Sequence, residues 1–206
     1  MMKKLYYQDL FLQADQEVSS NFLMSKVISA LHLVLVEDEH NTGSINIGIA
    51  FPGYSKEKRT LGSIVRLFAH HPDILSNLSS DARLIRLDDY IQKGEIHPVP
   101  DTVQEFVQYQ RIQFKENKER LVRRYAQRHQ MDINQARKKY ANYTNPVNNI
   151  PYVTLNSLST GQRFNLYVDE VLPAKKTEFL AFNSYGLTKF GALPYFTAPY
   201  TMEGNK

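Results

Sequence analysis

The spacing of apolar residues divides the first hundred residues of the chain into a regular series of elements. Three segments are predicted strands: 4–12, 44–52 and 60–69. In 44–52 the apolar residues alternate with the two-residue period of a strand, and the segment ends at Pro52. A helical spacing of apolar residues over 19–38 predicts a helix, with Ser19 or Ser20 as its N-cap. The apolar stripe of this helix consists of Leu23, Val27, Leu31 and Val34.

The rest of this part adds a helical segment and a short extended one. Residues 71–94 are helical in part, with Gly94 as a stop, and 95–100 contain two prolines, which suit an edge strand. The resulting element order, βαββαβ, is that of a ferredoxin-like domain, which we assign to residues 1–100.

A second domain is predicted over 104–206, after a boundary at 97–103. Its first helix begins at Asn117, and Asp132 is the predicted N-cap of a second helix, 133–143. The remainder is rich in segments that are typical of strands: 152–159, 163–172, 178–187 and 189–196. The predicted fold class is therefore α+β.

Composition narrows the chemistry that the chain could use. The 206 residues include no cysteine, which excludes disulfides, thiol nucleophiles and Cys-ligated zinc. Six histidines are present, but none has the spacing of metal ligands, so we expect no metal or other cofactor. The best apolar stretch, 27–36, is too short to cross a bilayer. We therefore expect a cytoplasmic protein without a membrane partner.

Positive charge is concentrated in one segment, 117–140. The whole chain carries a net charge of +4, whereas this segment carries +6 and the remaining 182 residues carry −2. A local basic surface of this kind usually has an acidic partner.

On a helical wheel, the predicted helix of this segment has two different faces. The polar face consists of Arg120, Arg123, Arg124, Gln127 and Arg128. The opposite face, which we expect to pack on a sheet, consists of Leu121, Val122, Tyr125, Ala126 and His129. Arginines repeated over about 12 Å of helix suit repeated phosphates and forked contacts to guanine edges. A solvated helix face is the alternative, and the helix alone does not separate RNA from DNA.

Three other features could carry chemistry, although each also has an ordinary structural interpretation. His32 lies in the first helix on the side of Ser25 and Ser29, the less apolar edge, so it could face a cleft. The hydroxyl-rich stretch 153–168 is by pattern a polar hairpin, and Tyr185 before a glycine is by pattern a sheet aromatic. No GxSxG elbow suggests a hydrolase triad.

Four motifs together resemble the CRISPR repeat-processing endoribonucleases of subtype I-F, which cut precursor CRISPR RNA at a repeat hairpin. They are SALH, QRIQFKENKERLVRRYAQRH followed by QARKKY, PYVTLNSLSTGQRFNLY and NSYGLTKFGALPYF. They occur in the order of the family over nearly the whole chain. The resemblance implies a ferredoxin-like N-terminal domain and a smaller C-terminal domain with an arginine-rich helix.

The resemblance also implies a catalytic group. It makes His32 the catalytic histidine, Ser157 the residue that holds the ribose and Tyr185 the residue that orients His32. An RNA 2′-OH attacks the adjacent phosphate once it is deprotonated and held in line, and histidine can accept that proton near neutral pH. The implied reaction needs no metal ion and gives a 2′,3′-cyclic phosphate and a 5′-OH.

RNA contacts are implied in the same way. Arg111 and Gln113 match positions that read bases at the bottom of the stem, and Phe164 matches an aromatic that stacks on the terminal base pair. Four residues match groove and phosphate contacts of the family: Arg123, Arg124, Arg128 and His129. Arg120, on the same polar face of the predicted helix, is a further candidate for RNA binding. Gln127 departs from the family pattern, which has arginine there, and residues 197–206 extend beyond it.

The family also implies partners. The enzyme would stay bound to the cut CRISPR repeat stem-loop RNA and join other Cas subunits in the type I-F surveillance complex.

Three other functions remain compatible with parts of the pattern. A non-catalytic RNA-hairpin binder needs the basic helix but makes no demand on His32. A duplex-DNA binder would place that helix in a B-form major groove. A CRISPR-processing nuclease of another subtype resembles two ferredoxin-like domains with a glycine-rich C-terminal loop, and the few glycines after residue 160 argue against it.

Overall fold

Two groups of residues make most of their contacts among themselves. The computed structural model of the chain describes residues 4–113, 118–143, 149–157, 160–177 and 179–196. Unit 1 consists of residues 1–111 and 150–206, and unit 2 consists of residues 112–149. The C-terminal extension, 197–206, lies outside the described residues. The fold class is α+β, as the sequence predicts.

The first sheet of unit 1 is formed by the N-terminal part of the chain. Its order in space is β2 (Gly48–Ala50), β3 (Ile64–Ala69), β1 (Tyr6–Leu12) and β4 (Ile91–Lys93), and β5 (His97–Pro98) also pairs with β1. All of these pairs are antiparallel. Two short helices, α2 (Pro72–Ser79) and α3 (Ala82–Ile85), occupy the segment that was predicted to be helical in part.

The first helix, α1 (Ser20–Thr42), begins where the sequence predicts. The side chain of Ser19 caps it by accepting the N–H of Phe22. The helix is longer than the predicted 19–38, because its polar last turns lie beyond the apolar stripe and end only at Gly43, whose φ of 77° stops a helix. Helix α1 is long and apolar enough to span a bilayer, judged by length and composition alone. The buried core helix of a soluble protein meets the same two criteria.

The core of unit 1 buries the predicted stripe of α1. Leu23, Val27 and Leu31 are at most 2% exposed and belong to one hydrophobic cluster with residues of both sheets. Val34, the last member of the predicted stripe, is only half-buried and packs against that cluster.

A second sheet in unit 1 is formed by later strands. Its order is β11 (Leu193–Tyr195), β6 (Glu105–Ile112), β8 (Arg163–Val171) and β7 (Tyr152–Asn156). A separate two-stranded ribbon pairs β9 (Ala181–Phe182) with β10 (Thr188–Phe190). The strands at the C-terminus are shorter than predicted, because the segment 178–187 includes a tight loop described below.

This grouping of residues differs from the predicted domain boundary at 97–103. Strand β6 lies at the start of the predicted second domain, but Tyr109 holds it in unit 1. The Tyr109 side chain is fully buried, its hydroxyl lies 2.9 Å from the carbonyl oxygen of Phe51, and its ring meets that of Phe51 edge-on. Strand β6 also pairs with β11, which belongs to the later segment of unit 1, 150–206. Unit 1 is therefore formed by residues from both sides of unit 2 in the sequence.

Unit 2 contains two helices, α4 (Lys118–Arg128) and α5 (Ile133–Lys139). We expect the apolar face of α4 to pack on a sheet. Within unit 2 it packs on α5, where Val122, Ala126 and Ala136 form a small core. Asp132 is the N-cap of α5, and its carboxylate accepts the Asn134 N–H at 2.8 Å. Helix α5 ends before the predicted residue 143.

A buried ion pair joins the two central strands of the first sheet. Asp9 on β1 faces Arg66 on β3, and the carboxylate accepts two N–H bonds from the guanidinium, at 2.7 and 2.8 Å. The two side chains are 6% and 2% exposed. Arg66 also donates to the carbonyl oxygen of Phe196 at 2.6 Å and lies over the Phe196 ring. All five donors of a guanidinium need partners when it is buried, and these contacts supply most of them.

We expect Asp9→Ala to lower the free energy of unfolding by about 3–5 kcal/mol, because it leaves the buried Arg66 without its counter-charge. Urea unfolding followed by circular dichroism measures the change. The matched control is Glu37→Ala, which removes an exposed partner of Arg83 and should cost no more than about 1 kcal/mol. Equal losses of unfolding free energy in the two variants would contradict the conclusion that the buried Asp9–Arg66 pair depends on its counter-charge more than the exposed pair does.

Candidate active site and nucleic-acid interface

A tight loop between β9 and β10 forms one wall of the site. The side-chain oxygen of Asn183 accepts the N–H groups of Tyr185 at 2.9 Å and Leu187 at 3.2 Å, which fixes the turn. Gly186 has a φ of 70°, and a Cβ there would lie 2.5 Å from the side chain of Ile49. The Gly186 carbonyl accepts the Ile49 N–H at 2.8 Å, so the loop is tied to the start of β2.

This loop holds the imidazole of His32 by two contacts. The ring of Tyr185 stacks on it, with 4.2 Å between centroids and an interplanar angle of 14°. His32 Nδ1 lies 2.6 Å from the carbonyl oxygen of Ser184. Because a carbonyl oxygen can only accept, Nδ1 is the nitrogen that carries the proton, and in the neutral ring the lone pair is on Nε2. The half-buried His32 is therefore oriented with a basic nitrogen directed away from Ser184.

Two further predicted residues lie next to Tyr185. Phe164 on β8 meets the Tyr185 ring edge-on, with 6.5 Å between centroids. The guanidinium carbon of Arg111 on β6 lies 5.3 Å from the Tyr185 centroid and 5.9 Å from that of Phe164, in the range of cation–π contacts. The structure thus brings together His32, Tyr185, Phe164 and Arg111 from four separate elements.

Ser157 lies on the neighbouring hairpin, directly after β7, the strand that α1 packs against. A turn defines its position: its N–H donates to Gln162, its carbonyl accepts the N–H of Gly161, and its Oγ accepts the N–H of Thr160 at 3.3 Å. Gly161 has a φ of 65°, which favours glycine there. The hydroxyl-rich stretch is therefore a hairpin, as its pattern indicates.

The remaining predicted residues belong to unit 2. All are exposed: Gln113, Arg120, Arg123, Arg124, Gln127, Arg128 and His129. The helical wheel predicts His129 on the packed face, but it follows the last residue of α4 and is exposed. Its N–H donates to the Tyr125 carbonyl at 3.0 Å, and its ring centroid lies 4.2 Å from that of Tyr125. Arg124, Gln127 and Arg128 line one groove of about 510 Å³ with Tyr140.

The basic residues of α5 are Arg137, Lys138 and Lys139, and their surroundings differ from those of the arginines of α4. Arg137 forms an ion pair with Glu119 at 3.1 Å, and Lys139 lies 3.9 Å from the centre of the Tyr125 ring. Within the described part of unit 2, no carboxylate forms an ion pair with Arg120, Arg124 or Arg128. The polar face of α4 is therefore a surface of unit 2 on which positive charge is available to a partner.

The sequence prediction missed the residues that hold His32 in place. Asn183 and Ser184 act through a side-chain oxygen and a backbone carbonyl, and neither is a conspicuous chemical group. The order Asn-x-x-Gly before a strand was the available signal, because it is typical of a tight turn.

Over the described residues, no three His, Cys, Asp or Glu side chains lie close enough together to hold a metal ion.

We expect neutral His32 to carry its proton on Nδ1, because Nδ1 faces the Ser184 carbonyl. Long-range ¹H–¹⁵N correlation spectra of the ring distinguish the two tautomers. The exposed His40 of the same helix is the internal control. A proton on Nε2 of neutral His32 would contradict the orientation of the ring.

Comparison with known proteins places the chain in a family. A sequence model of the CRISPR-associated protein family Cas_Csy4 matches residues 7–196. A protein of Pseudomonas aeruginosa (strain UCBPP-PA14) named CRISPR-associated endonuclease Cas6/Csy4 is 35% identical over 191 residues, 93% of this chain and 99% of that protein. A protein of the same name from Escherichia coli (strain UTI89 / UPEC) is 28% identical over the same shares of both chains. By the extent of these matches, the chain belongs to the CRISPR-associated protein family Cas_Csy4.

Proposed function

We propose that the chain is an endoribonuclease that processes precursor CRISPR RNA by cutting it at the 3′ base of the repeat stem-loop. Membership of the family supports this function, as do the two relatives whose names describe CRISPR-associated endonucleases. The observation that carries the proposal is the fixed orientation of His32, whose Nε2 is left as an acceptor by the bond from Nδ1 to Ser184.

In the proposed reaction, Nε2 of His32 accepts the proton of the 2′-OH next to the scissile phosphate. The 2′ oxygen forms a bond to phosphorus and the bond from phosphorus to the 5′ oxygen breaks. The leaving oxygen takes up a proton from water, and the imidazolium of His32 releases the proton that it accepted to solvent. The products are a 2′,3′-cyclic phosphate and a 5′-OH. The Ser184 carbonyl stabilises the imidazolium that forms, because it accepts from Nδ1–H. No step requires a metal ion, because the nucleophile belongs to the RNA.

The other residues assigned to the site have the chemistry to position the substrate. Ser157 provides a hydroxyl for the ribose, at the end of the strand packed against α1. Phe164 offers a half-buried ring on which the terminal base pair of a stem can stack, and the Arg111 guanidinium beside that ring can reach a guanine edge. Gln113 follows on the same segment and is the second proposed base-reading residue.

The polar face of α4 is the proposed clamp for the stem. Its exposed arginines can make the repeated, forked phosphate contacts that set the register of an RNA duplex without reading its sequence. Gln127 lies in the same groove as Arg124 and Arg128, so one contact of this row is uncharged. The clamp would also keep the hairpin bound after the cut, since the cut removes none of these contacts.

The fold and partners complete the proposal. The order of the first sheet, β2–β3–β1–β4, and its antiparallel pairing support a ferredoxin-like assignment of the N-terminal part. We also propose that the protein acts in the cytoplasm and joins other Cas subunits of the type I-F surveillance complex.

Replacing His32 with Ala should slow cleavage of the repeat RNA at least about 100-fold, the usual contribution of a general base. Hairpin affinity should stay unchanged, because the stem contacts lie elsewhere. Single-turnover rates in excess EDTA, with a gel that resolves the cyclic phosphate, measure the effect. His40→Ala in the same helix is the matched control and should cleave normally.

A substrate with one 2′-deoxy sugar at the cut completes this test. It should bind with unchanged affinity and resist cleavage, because it lacks the nucleophile. Binding of the native RNA without any cleavage by the unaltered protein would instead favour a non-catalytic hairpin binder. Cleavage of the 2′-deoxy substrate would contradict the proposed reaction.

The double variant Arg124→Ala, Arg128→Ala should weaken binding of the hairpin and reduce the slope of log K against log salt by about 1 for each lost phosphate contact. The matched control removes two exposed cations of unit 1, Lys58 and Arg86, and should leave the slope unchanged. An equal change in both double variants would mean that net charge, rather than the face of α4, determines affinity.

A further inference from the structure

A second polar groove lies beside the candidate active site, within unit 1. It has a volume of about 440 Å³ and runs between α1 and the β7–β8 hairpin. Asn21, Ser25 and Ser29 line it from α1. These residues and His32 lie on one face of the helix, because positions i, i+4, i+8 and i+11 fall within about 80°. His32 thus continues this row at its C-terminal end, about 16 Å along the helix from Asn21.

The opposite wall of this groove also leads to the site. It includes Thr154 and Asn156 of β7 and Arg163 of β8, and Asn156 pairs in register with Arg163. The next residue after Asn156 is Ser157. Both walls therefore continue directly into residues of the proposed active site, His32 on one side and Ser157 on the other.

The side chains of the groove suit a single RNA strand. Phe22 is 53% exposed, and the exposed Lys26 ammonium lies 5.1 Å from the centre of its ring. Arg163 adds a second exposed cation, and no Asp or Glu occurs among the described residues that line the groove. An exposed ring flanked by cations binds the faces of unpaired bases and the adjacent phosphates, whereas bases within a duplex offer no free face.

The hydroxyl groups of the groove add acceptors. Ser25 Oγ donates to the Asn21 carbonyl and Ser29 Oγ donates to the Ser25 carbonyl. Their oxygen lone pairs remain available to accept from a 2′-OH or a base amino group. A row of such oxygens next to two cations favours RNA, which offers both donors and phosphates.

We propose that this groove binds the single-stranded RNA immediately 3′ of the cut. The inference rests on the proposed function, in which the stem stacks on Phe164, the ring that contacts Tyr185. Only the strand with the scissile phosphate passes His32 and Ser157, and beyond the cut it is unpaired. That strand enters the groove after it has passed His32 and Ser157. It therefore adds affinity for the substrate but none for the retained hairpin product.

The test compares two hairpin RNAs that cannot be cleaved, each with a 2′-deoxy sugar at the cut. One ends at the 3′ base of the stem, and the other continues for about six nucleotides. The triple variant Phe22→Ala, Lys26→Ala, Arg163→Ala removes the ring and both cations. All three side chains are exposed, so the fold should be retained, which thermal unfolding checks. The control is again Lys58→Ala with Arg86→Ala.

For the extended RNA, the triple variant should lose about 10-fold in affinity, because stacking of even one base on Phe22 contributes this much. Its salt slope should also fall by about 1.4, the value for two phosphate contacts to a single strand. For the short RNA, the affinity and the slope should stay as in the unaltered protein. Lys26→Ala alone should also weaken binding of the extended RNA but not of the short RNA, and by a smaller factor than the triple variant.

Two results would overturn the inference while the proposed function stands. One is an equal loss of affinity for both RNAs, which would mean that Phe22, Lys26 and Arg163 contact the stem. The other is an unchanged affinity for both RNAs, which would mean that the groove binds no RNA. If the unaltered protein neither binds nor cuts the repeat hairpin, the proposed function fails and the inference fails with it.

Discussion

The hydrogen bond from His32 Nδ1 to the Ser184 carbonyl is the constraint on which the candidate site depends. It joins residues 152 positions apart in the sequence. Each side of the bond is anchored separately, since α1 is buried along its apolar stripe and the loop is tied to Ile49 through Gly186. A rotation of the ring would break both this bond and the stack with Tyr185. The direction of Nε2 is therefore a property of the tertiary structure and not of the histidine alone.

The two units meet different physical requirements. In the proposed reaction, a proton acceptor must be held within a narrow range of positions, and unit 1 would meet this requirement by holding His32 on a long helix packed on sheets. Contacts to phosphates tolerate more freedom, because they position a duplex without reading its bases. The core of unit 2 is correspondingly small, with Val122, Ala126 and Ala136 as its buried members, and it leaves the arginines of α4 exposed.

Local signals could predict much of the fold but not the partners of its surfaces. The start of α1 and its buried residues follow from Ser19 and from apolar spacing, both of which are local. A helical wheel shows which face of α4 is buried, but it does not show whether a sheet or α5 covers that face. Similarly, only the family resemblance identifies Tyr185 as a site residue, because its sequence pattern is that of a sheet aromatic. Its stack on His32 depends on a loop that is fixed by Asn183, which is distant in sequence from α1.

A basic nitrogen near a 2′-OH is not sufficient for cleavage, because the attacking oxygen, phosphorus and leaving oxygen must also lie in line. An unpaired RNA strand adopts that geometry only part of the time. In the proposed complex, contacts on the stem side through Phe164 and Arg111 would restrict one end of the scissile linkage. The groove along α1 is placed to restrict the other end, since its walls lead into His32 and Ser157. Contacts on both sides of the phosphate would favour the reactive geometry in the substrate, and the cut would release those on the 3′ side alone.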